Sequence, residues 1–480
     1  MDKLIVALDQ GTSGCRVMAV DGQGRVVAQK SRTLLPERQG ALSAYGAGEP
    51  ERCARGLLDD LLGEIGAERV AALAVSSQRS TIVLWDKQTG ELLAPVLTWE
   101  DGRAAQENAQ NPLSQQEVHM ITGLYKTPYF SAPKIAWCLT HIPMVKAAAQ
   151  EGRLAAAPVA SYLIWKWTRG AVFATDATLA QRTLLFDIHT QTWSEKLCAS
   201  FGIDPRILPA IYPSVSAYGH YGFKGIRIPI VLCVGDQQAA AAYLPLEKGQ
   251  SCLNYGTGAF LLHHIGSEAI LLEGMLTSLG ANSQPDGRNF LLEGPVNAAG
   301  SAFLWLAGQG IPFTMDNADA LCAQAKKPVR ILPALGGLGA PYWDYTLSPV
   351  ITDLYPHTSA ADWVAGMARG IAFLVSDIAA YLKVNGIELS AEVAVSGGLC
   401  RLGYMMQQQA DFLQRRLVMY TETESTLLGA ARLAAASLGV DVDAWKKAPA
   451  RTFVPQISPE QMALEYRGWR NFMERCRGKN

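Results

Sequence analysis

Ile228 to Ala242, with the sequence IPIVLCVGDQQAAAA, has the pattern of a buried strand that turns into a helix. Its first half is apolar and rich in β-branched residues, and its last four residues are helix-favouring alanines. Asp236 follows Gly235 at the junction, which is where open α/β sheets bind their ligands. A carboxylate there can accept the proton of a substrate hydroxyl, although an Asp at such a junction more often caps the helix.

The composition describes a large globular chain. Its 480 residues are too many for one core and predict two or three domains. Apolar residues make up 49% of the chain and charged residues 18%, which argues against extensive disorder. The net charge is −1 and no run of like charges occurs, so we expect neither a nucleic acid nor an anionic membrane as a partner.

The nine cysteines are scattered, odd in number and without a CxxC pair. We interpret them as reduced core residues and predict a cytoplasmic protein. The apolar run Leu4 to Leu8 is too short for the core of a signal peptide. No apolar stretch is expected to cross a membrane.

The chain opens with a predicted strand from Leu4 to Leu8, a glycine turn over 9–14 and a second strand from Cys15 to Val20. Exposed amides in this turn, together with the hydroxyls of Thr12 and Ser13, suit phosphate oxygens, although an ordinary hairpin has the same pattern. The motif GxxxxGK[ST] is absent from the sequence, which excludes a P-loop. The glycines at 22 and 24 lead into a strand and not a helix, which argues against a dinucleotide fingerprint.

Two further strand ends carry polar and aromatic groups, in the stretches SSQRS over 76–80 and WEDGR over 99–103. They can line a pocket for a polyhydroxylated ligand. Arg79 and Asp101 can equally form a structural ion pair. Tyr129 precedes a predicted helix over 133–139, and a tyrosine in that position is more often a core residue than a ligand contact.

The second half repeats this opening. A predicted strand over 251–254, the turn YGTG over 255–258 and a strand over 259–265 match residues 5–20 in order and in chemistry. Two facing domains, each with such a turn, would hold a nucleoside triphosphate between them. Gly300 falls inside a predicted helix over 296–306, where it allows close approach of a ligand or of another backbone. Gly398 follows a predicted strand, and a helix over 423–438 is expected to close the second domain.

Together these segments resemble the FGGY family of carbohydrate kinases, and most of all its glycerol-phosphorylating members. The resemblance extends from about Leu4 to about Trp469. It rests on the stretches IVALDQGTS, SSQRSTIVLWDKQTGE, TGLYKTPYFSAPK, GDQQAA, YGTG, LEGPVNAAG, GLGAPYWD, VSGGL and LLGAARLA.

The resemblance implies an α/β fold. It predicts two ribonuclease-H-like domains of the actin and hexokinase ATPase type around a central nucleotide cleft. We expect an N-terminal domain over 1–245, with the substrate site and the base, and a C-terminal nucleotide-binding domain over 246–480. The family also implies ATP and Mg²⁺ as cofactors, a small polyol or sugar as substrate, and a homodimer.

The residue roles that the resemblance implies form three groups. Asp236 matches the catalytic base, and Asp9 matches the acidic residue near the metal ion. The residues that match polyol contacts are Arg79, Ser80, Tyr129, Asp236 and Gln237. The residues that match nucleotide contacts are Thr12, Ser13, Arg16, Thr257, Gly300 and Gly398.

This chain departs from the glycerol-phosphorylating pattern in two places. Those members carry an acidic residue directly after the arginine, where this chain has Ser80. They also carry asparagines where this chain has Leu402 and Gly403. The sequence predicts ATP-dependent phosphorylation of a terminal hydroxyl of glycerol or a similar sugar alcohol. Two alternatives remain: a kinase for another sugar, a pentulose or a tetritol, and a nucleotide-binding protein without transfer activity.

Overall fold

The computed structural model describes residues 3–243, 246–283, 287–420, 424–445 and 449–478. The strands of the first half are β1 (Leu4–Gly11), β2 (Gly14–Val20), β3 (Val26–Thr33), β4 (Glu37–Gln39), β5 (Leu42–Tyr45), β6 (Val70–Ser77), β7 (Ile82–Asp86), β8 (Val96–Leu97), β9 (Leu154–Pro158), β10 (Ala174–Asp176), β11 (Phe186–Asp187), β12 (Thr192–Trp193), β13 (Ala210–Tyr212), β14 (His220–Phe223) and β15 (Ile226–Gly235). Those of the second half are β16 (Ser251–Tyr255), β17 (Ala259–Gly266), β18 (Leu276–Leu279), β19 (Phe290–Val296), β20 (Arg330–Leu332), β21 (Val350–Thr352), β22 (Glu392–Ser396), β23 (Arg416–Met419) and β24 (Arg451–Phe453).

The helices alternate with these strands. They are α1 (Glu49–Ile65), α2 (Ala105–Gln110), α3 (Gln115–Thr122), α4 (Ser131–His141), α5 (Pro143–Gln150), α6 (Val159–Trp167), α7 (Ala177–Gln181), α8 (Glu195–Ser200), α9 (Asp236–Tyr243), α10 (Gly300–Gly308), α11 (Ala318–Cys322), α12 (Ala360–Val384), α13 (Gly403–Leu413), α14 (Ser425–Ser437) and α15 (Pro459–Arg477).

The first half is built on a six-stranded mixed sheet in the order β14-β15-β6-β1-β2-β3. Strands β1, β6 and β15 run parallel, while β1, β2 and β3 form an antiparallel meander. β1 and β6 are buried along nearly their whole length, as expected for central strands covered on both faces. A smaller sheet, β4-β5-β8-β7-β9, lies beside this one in the same half.

The second sheet repeats the topology of the first. In its order β18-β19-β17-β16-β22-β23-β24, the pairs β16–β17 and β17–β19 are antiparallel, and β16–β22 and β22–β23 are parallel. The first sheet shows the same succession from β3 through β2, β1 and β6 to β15. The duplicated α/β architecture expected from the two glycine turns is therefore confirmed.

Helix α14 corrects one expectation. The stretch over 423–438 was expected to close the second domain, and its residue Thr423 lies outside the described residues. The helix packs instead on the first sheet: Leu427 and Ala431 belong to one buried cluster with Ile5, Ala7 and Leu232. The second half thus supplies a layer of the first. The boundary at 245 and 246 stays a prediction, and residue 245 is outside the described part of the chain.

Helix α12 qualifies the expectation that no apolar stretch is long enough to cross a membrane. It has the length and hydropathy to do so, with a mean hydropathy of 1.4 over its most apolar window. However, 78% of that window is buried inside the protein. It packs in the core of the second half, where Ile371, Val375 and Ile378 are fully buried. A long apolar helix that is mostly buried in this way is accounted for as a core element.

Candidate active site

Three chemically active side chains meet where the parallel strands of the first sheet end. Strand register places Gln10, Ser77 and Gly235 side by side on β1, β6 and β15. Asp9 lies at the end of β1, Arg79 just beyond β6, and Asp236 just beyond β15. Because the carboxyl ends of parallel strands share one edge, residues far apart in sequence converge here.

Asp236 is the first residue of α9, as the change from strand to helix predicted. Its side chain keeps 32% of its surface exposed, and Oδ1 accepts a hydrogen bond from its neighbour, Gln237 N, at 2.8 Å. Arg79 Nε lies 3.4 Å from the same oxygen. Burial raises the pKa of Asp236 above its ordinary value, and the Arg79 guanidinium opposes that rise. The group is thus a partly accessible carboxylate with increased basicity, as a general base requires.

Arg79 connects the two halves of the molecule. Its Nη1 donates to Glu293 Oε2 at 3.4 Å, across to β19 of the second sheet. Arg182 and Ser278 also donate to Glu293 Oε2. Burial alone raises the pKa of Glu293, but the guanidiniums of Arg182 and Arg79 outweigh it and lower that pKa to about 2. Glu293 is therefore a permanent anion that fixes Arg79 beside Asp236.

The alternative of an Arg79–Asp101 ion pair is wrong. Asp101 accepts hydrogen bonds from Arg103 Nε at 2.7 Å and from Ser43 N at 2.7 Å. These neighbours occupy both oxygens of the carboxylate: Ser43 lies on β5, and Arg103 follows Asp101 by two residues in the chain. Arg79 pairs instead with Asp236 and Glu293.

Asp9 is almost completely buried, at the end of β1 and not in the turn where the sequence placed it. Ser76 Oγ donates to its Oδ1 at 2.9 Å, and Arg16 Nη2 donates to its Oδ2 at 2.9 Å. Burial raises the pKa of Asp9 to about 6, an effect that Arg16 opposes and the charge of Asp236 reinforces. Arg16 also pairs with Glu424, which precedes α14, so it joins both halves at this point.

The first glycine turn is shorter than predicted and consists of Thr12 and Ser13 between β1 and β2. The Thr12 hydroxyl accepts a hydrogen bond from Trp99 Nε1 at 2.8 Å and donates to Gln78 Oε1 at 3.3 Å. Ser13 is exposed, and its carbonyl accepts from Leu34 N. Thr12 therefore fixes the shape of the turn, while Ser13 remains open to a ligand.

The second glycine turn brings together the other predicted nucleotide residues. Thr257 is exposed at its tip, and its carbonyl accepts from Ala299 N and Ser301 N. Gly300 begins α10 and does not lie inside it, which corrects the predicted helix start. A Cβ on Gly300 would lie 2.8 Å from Gly256 O, so close backbone packing requires this glycine. Gly398 is exposed, next to Gly397, which packs on the carbonyl of Tyr255.

The remaining predicted polyol contacts surround Asp236 and Arg79. The Tyr129 ring packs on Trp99 with centroids 4.9 Å apart and stays 41% exposed, which is unlike a core tyrosine. Among the described residues, Ser80 Oγ and Gln237 Oε1 are buried without a protein hydrogen-bond partner. Unpaired polar atoms of this kind suit a ligand with several hydroxyls.

Sequence reasoning missed Arg182, Glu293 and Lys134 as parts of the site. Each is a charged residue inside an apolar stretch, and each is buried in the structure. A charge predicted to be buried needs a partner or a function, which is the signal that identifies such residues. Their partners come from distant parts of the chain and could not be paired from sequence.

Asp9 is the carboxylate predicted to lie near a magnesium ion, and its two oxygens accept hydrogen bonds from Ser76 and Arg16. Within the described ranges, no group of three or more His, Cys, Asp or Glu residues is placed to hold a metal ion. Mg²⁺ in phosphoryl-transfer sites needs no such cage, because it binds through one or two carboxylates and the substrate phosphates. Asp9 supplies one carboxylate close to the first glycine turn.

Comparison with known proteins identifies the family of the chain. The N-terminal domain of the FGGY family of carbohydrate kinases matches residues 4–242, and the C-terminal domain matches residues 252–438. The chain is 34% identical to a glycerol kinase of Trichlorobacter lovleyi, over 99% of each chain. It is 32% identical to a glycerol kinase of Haemophilus influenzae, over 98% of this chain and 97% of the relative.

Solved structures extend the comparison to the fold. A Plasmodium falciparum glycerol kinase with ADP superposes with a TM-score of 0.90 at 25% identity, covering 99% of this chain and 98% of that one. A xylulose kinase of Lactobacillus acidophilus superposes with a TM-score of 0.87 at 21% identity, covering 100% of this chain and 99% of that one. The two-domain actin and hexokinase-like fold is thereby confirmed. The chain belongs to the FGGY family of carbohydrate kinases and is a phosphotransferase with an alcohol group as acceptor.

Proposed function

We propose that this enzyme transfers the γ-phosphoryl group of ATP to a terminal hydroxyl of a small polyol, glycerol or a glycerol-like sugar alcohol. The observation that carries the proposal is the placement of the Asp236 carboxylate, 3.4 Å from Arg79 Nε, at the sheet edge that also carries Asp9 and the first glycine turn. The glycerol kinases among its relatives support the choice of substrate class.

In this proposal Arg79, Tyr129 and Gln237 orient the polyol, and Asp236 accepts the proton of the attacking hydroxyl. Backbone amides of the two glycine turns, with Ser13 and Thr257 at their tips, hold the phosphates, and Arg16 supplies positive charge beside them. Asp9 would hold Mg²⁺, which neutralises charge on the phosphates. Positioning and electrostatic stabilisation supply most of the rate in such transfers.

Ser80 determines which substrates the proposal includes. Its hydroxyl is 2% exposed and unpaired among the described residues, and it can both donate and accept a hydrogen bond. A carboxylate at this position would only accept. A substrate with a carbonyl or a longer chain therefore remains a candidate beside glycerol, which keeps pentuloses and tetritols in the test.

A coupled assay of ADP release over glycerol, dihydroxyacetone, tetritols, pentitols and pentuloses tests the proposal. We expect Mg²⁺- and polyol-dependent ADP release, with a clear preference for a three- to five-carbon substrate. Thermal stabilisation by MgATP without phosphorylation of any compound would contradict it and support a nucleotide-binding protein without transfer activity.

We also propose a cytoplasmic location and a homodimer. Eight of the cysteines are buried and form no disulfide among the described residues, as a reducing compartment favours; they are at positions 15, 53, 138, 198, 233, 252, 322 and 400. Sedimentation of the purified protein at micromolar concentration tests the oligomeric state.

A further inference from the structure

Lys134 on α4 is a lysine with no access to solvent, at 0% exposure. Burial lowers its pKa to about 7, and the charges of Asp101 and Arg103 act on that pKa in opposite directions. These two pair with each other at 2.7 Å, so Asp101 is not a dedicated counter-ion. Burying an amine in this way is costly and needs compensation by hydrogen bonds.

The hydrogen bonds of Lys134 lead to two substrate-side residues. Its Nζ donates to Tyr129 O at 2.7 Å and to Ser80 O at 3.3 Å. Ser131 Oγ, from the same helix, donates to Ser80 O at 3.2 Å. One buried amine thus joins the turn after β6 to the loop before α4, which are about 50 residues apart in the chain.

The turn at Ser80 needs such support. Ser80 has φ of +63°, a left-handed conformation that is unfavourable for a residue with a Cβ. Arg79 directly precedes it, and its Cγ and Cδ pack against Gly235 at the end of β15. A change in the Ser80 backbone is therefore transmitted to the guanidinium beside Asp236.

A second chain of contacts connects Lys134, through Tyr129, with the first glycine turn. The Tyr129 ring packs on Trp99, and Trp99 Nε1 donates to Thr12 Oγ1 in the first glycine turn. Lys134 accordingly lies behind two chains of contact, one through Ser80 and Arg79 to the base, the other through Tyr129 and Trp99 to the phosphate turn.

We infer that Lys134 is a positioning residue for phosphoryl transfer, which fixes the Ser80 and Tyr129 backbones relative to each other and so sets the width of the polyol pocket. The inference rests on the proposed polyol site. It does not make Lys134 a substrate contact, because its side chain is closed off behind the two loops.

Lys126 provides a matched control. Its Nζ also donates to two carbonyls, Leu113 O at 2.7 Å and Asn111 O at 3.1 Å, which belong to neither substrate-side loop. Lys134→Met and Lys126→Met therefore remove the same kind of interaction at different places. If Lys134 only stabilises the fold, the two variants should have similar KM values once their free energies of unfolding are taken into account.

The test compares polyol KM, ATP KM and hydrogen–deuterium exchange for full-length wild type and the two variants. Lys134→Met is expected to raise polyol KM about 10-fold or more through misplacement of the pocket. ATP KM should rise by a clearly smaller factor, because the phosphate turn is reached only indirectly, through the rings of Tyr129 and Trp99. Exchange should accelerate at segments 78–82 and 126–131. Lys126→Met should leave both KM values and the exchange at 78–82 unchanged. Segment 126–131 contains Lys126 itself, so it is compared only between wild type and Lys134→Met. Equal changes in both variants, or an equal rise of both KM values in Lys134→Met, would overturn the inference.

Ser131→Ala covers the case in which Lys134→Met does not fold. It removes the other donor to Ser80 O without changing charge, and it should raise polyol KM about 2- to 5-fold, in line with loss of one neutral hydrogen bond. An unchanged polyol KM in that variant would contradict the inference. If wild type phosphorylates no polyol, the proposed function fails, but hydrogen–deuterium exchange still tests the positioning of the Ser80 turn. Faster exchange at 78–82 in Ser131→Ala supports that positioning, and unchanged exchange refutes it.

Discussion

The two sheets have the same topology but different chemistry at equivalent positions. Asp9 lies three residues before Thr12 and pairs in register with Ser76, while Asn254 lies three residues before Thr257 and pairs with Ser396. The first sheet thus has a carboxylate where the second has an amide. After β6 the first sheet carries Arg79, whereas after β22 the second sheet carries Gly397 and Gly398.

This difference shows how a duplicated fold divides its work. At one edge of the first sheet lie a buried acid, Asp9, a cation, Arg79, and a base, Asp236. The second offers exposed backbone and close glycine packing, which suit phosphate oxygens without contributing acid–base chemistry. The network of Arg79, Glu293 and Arg182 joins the two sites, so the reactive half is held against the half that binds phosphate.

Of the three variants that probe this difference between the sheets, the largest effect should come from making the first site resemble the second. Asp9→Asn replaces the buried carboxylate by the amide found at Asn254. We expect kcat to fall about 10²–10³-fold, the usual cost of removing one electrostatic contact to a transition state. A titration of the initial rate with Mg²⁺ should show a lower apparent affinity for Mg²⁺, that is, a higher half-saturating concentration. An unchanged kcat with unchanged Mg²⁺ affinity would remove Asp9 from the metal site.

Arg79→Met tests the cation of the first site. Loss of a charged hydrogen-bonding partner should lower kcat/KM for the polyol about 10- to 100-fold. The base acts when deprotonated, so kcat decreases as the pH falls through the pKa of Asp236. Burial raises that pKa and Arg79 lowers it. Without Arg79 the acid limb of the kcat profile should therefore move to higher pH, and a profile identical to that of wild type would argue against the pairing.

The smallest effect should come from the second site. Gly300→Ala places a Cβ 2.8 Å from Gly256 O and shifts the second turn. We expect ATP KM to rise about 5- to 10-fold by misplacement of the phosphate contacts, with polyol KM nearly constant. Gly308→Ala is the control at the other end of the same helix, where an added Cβ meets nothing within 4 Å. Similar ATP KM values in the two variants would contradict the account of the second turn.

Much of the fold followed from local patterns. The strand-to-helix change at Gly235 and the two glycine turns are local features, and they predicted α9, β1, β2, β16 and β17 near their observed positions. The position of α14 could not be predicted, because a helix pattern shows that one face is buried but not which sheet covers it. The same limit applies to Glu293, whose partners Arg79 and Arg182 are more than 100 residues away.

The isosteric variant Asp236→Asn tests the central claim most directly. It keeps the shape of the side chain and an acceptor for Gln237 N but removes the proton acceptor. We expect polyol-dependent ADP release to fall about 10²–10⁴-fold, as for loss of a general base, while MgATP still raises the melting temperature as in wild type. Near wild-type phosphoryl transfer by this variant would contradict the assignment of Asp236 and, with it, the mechanism.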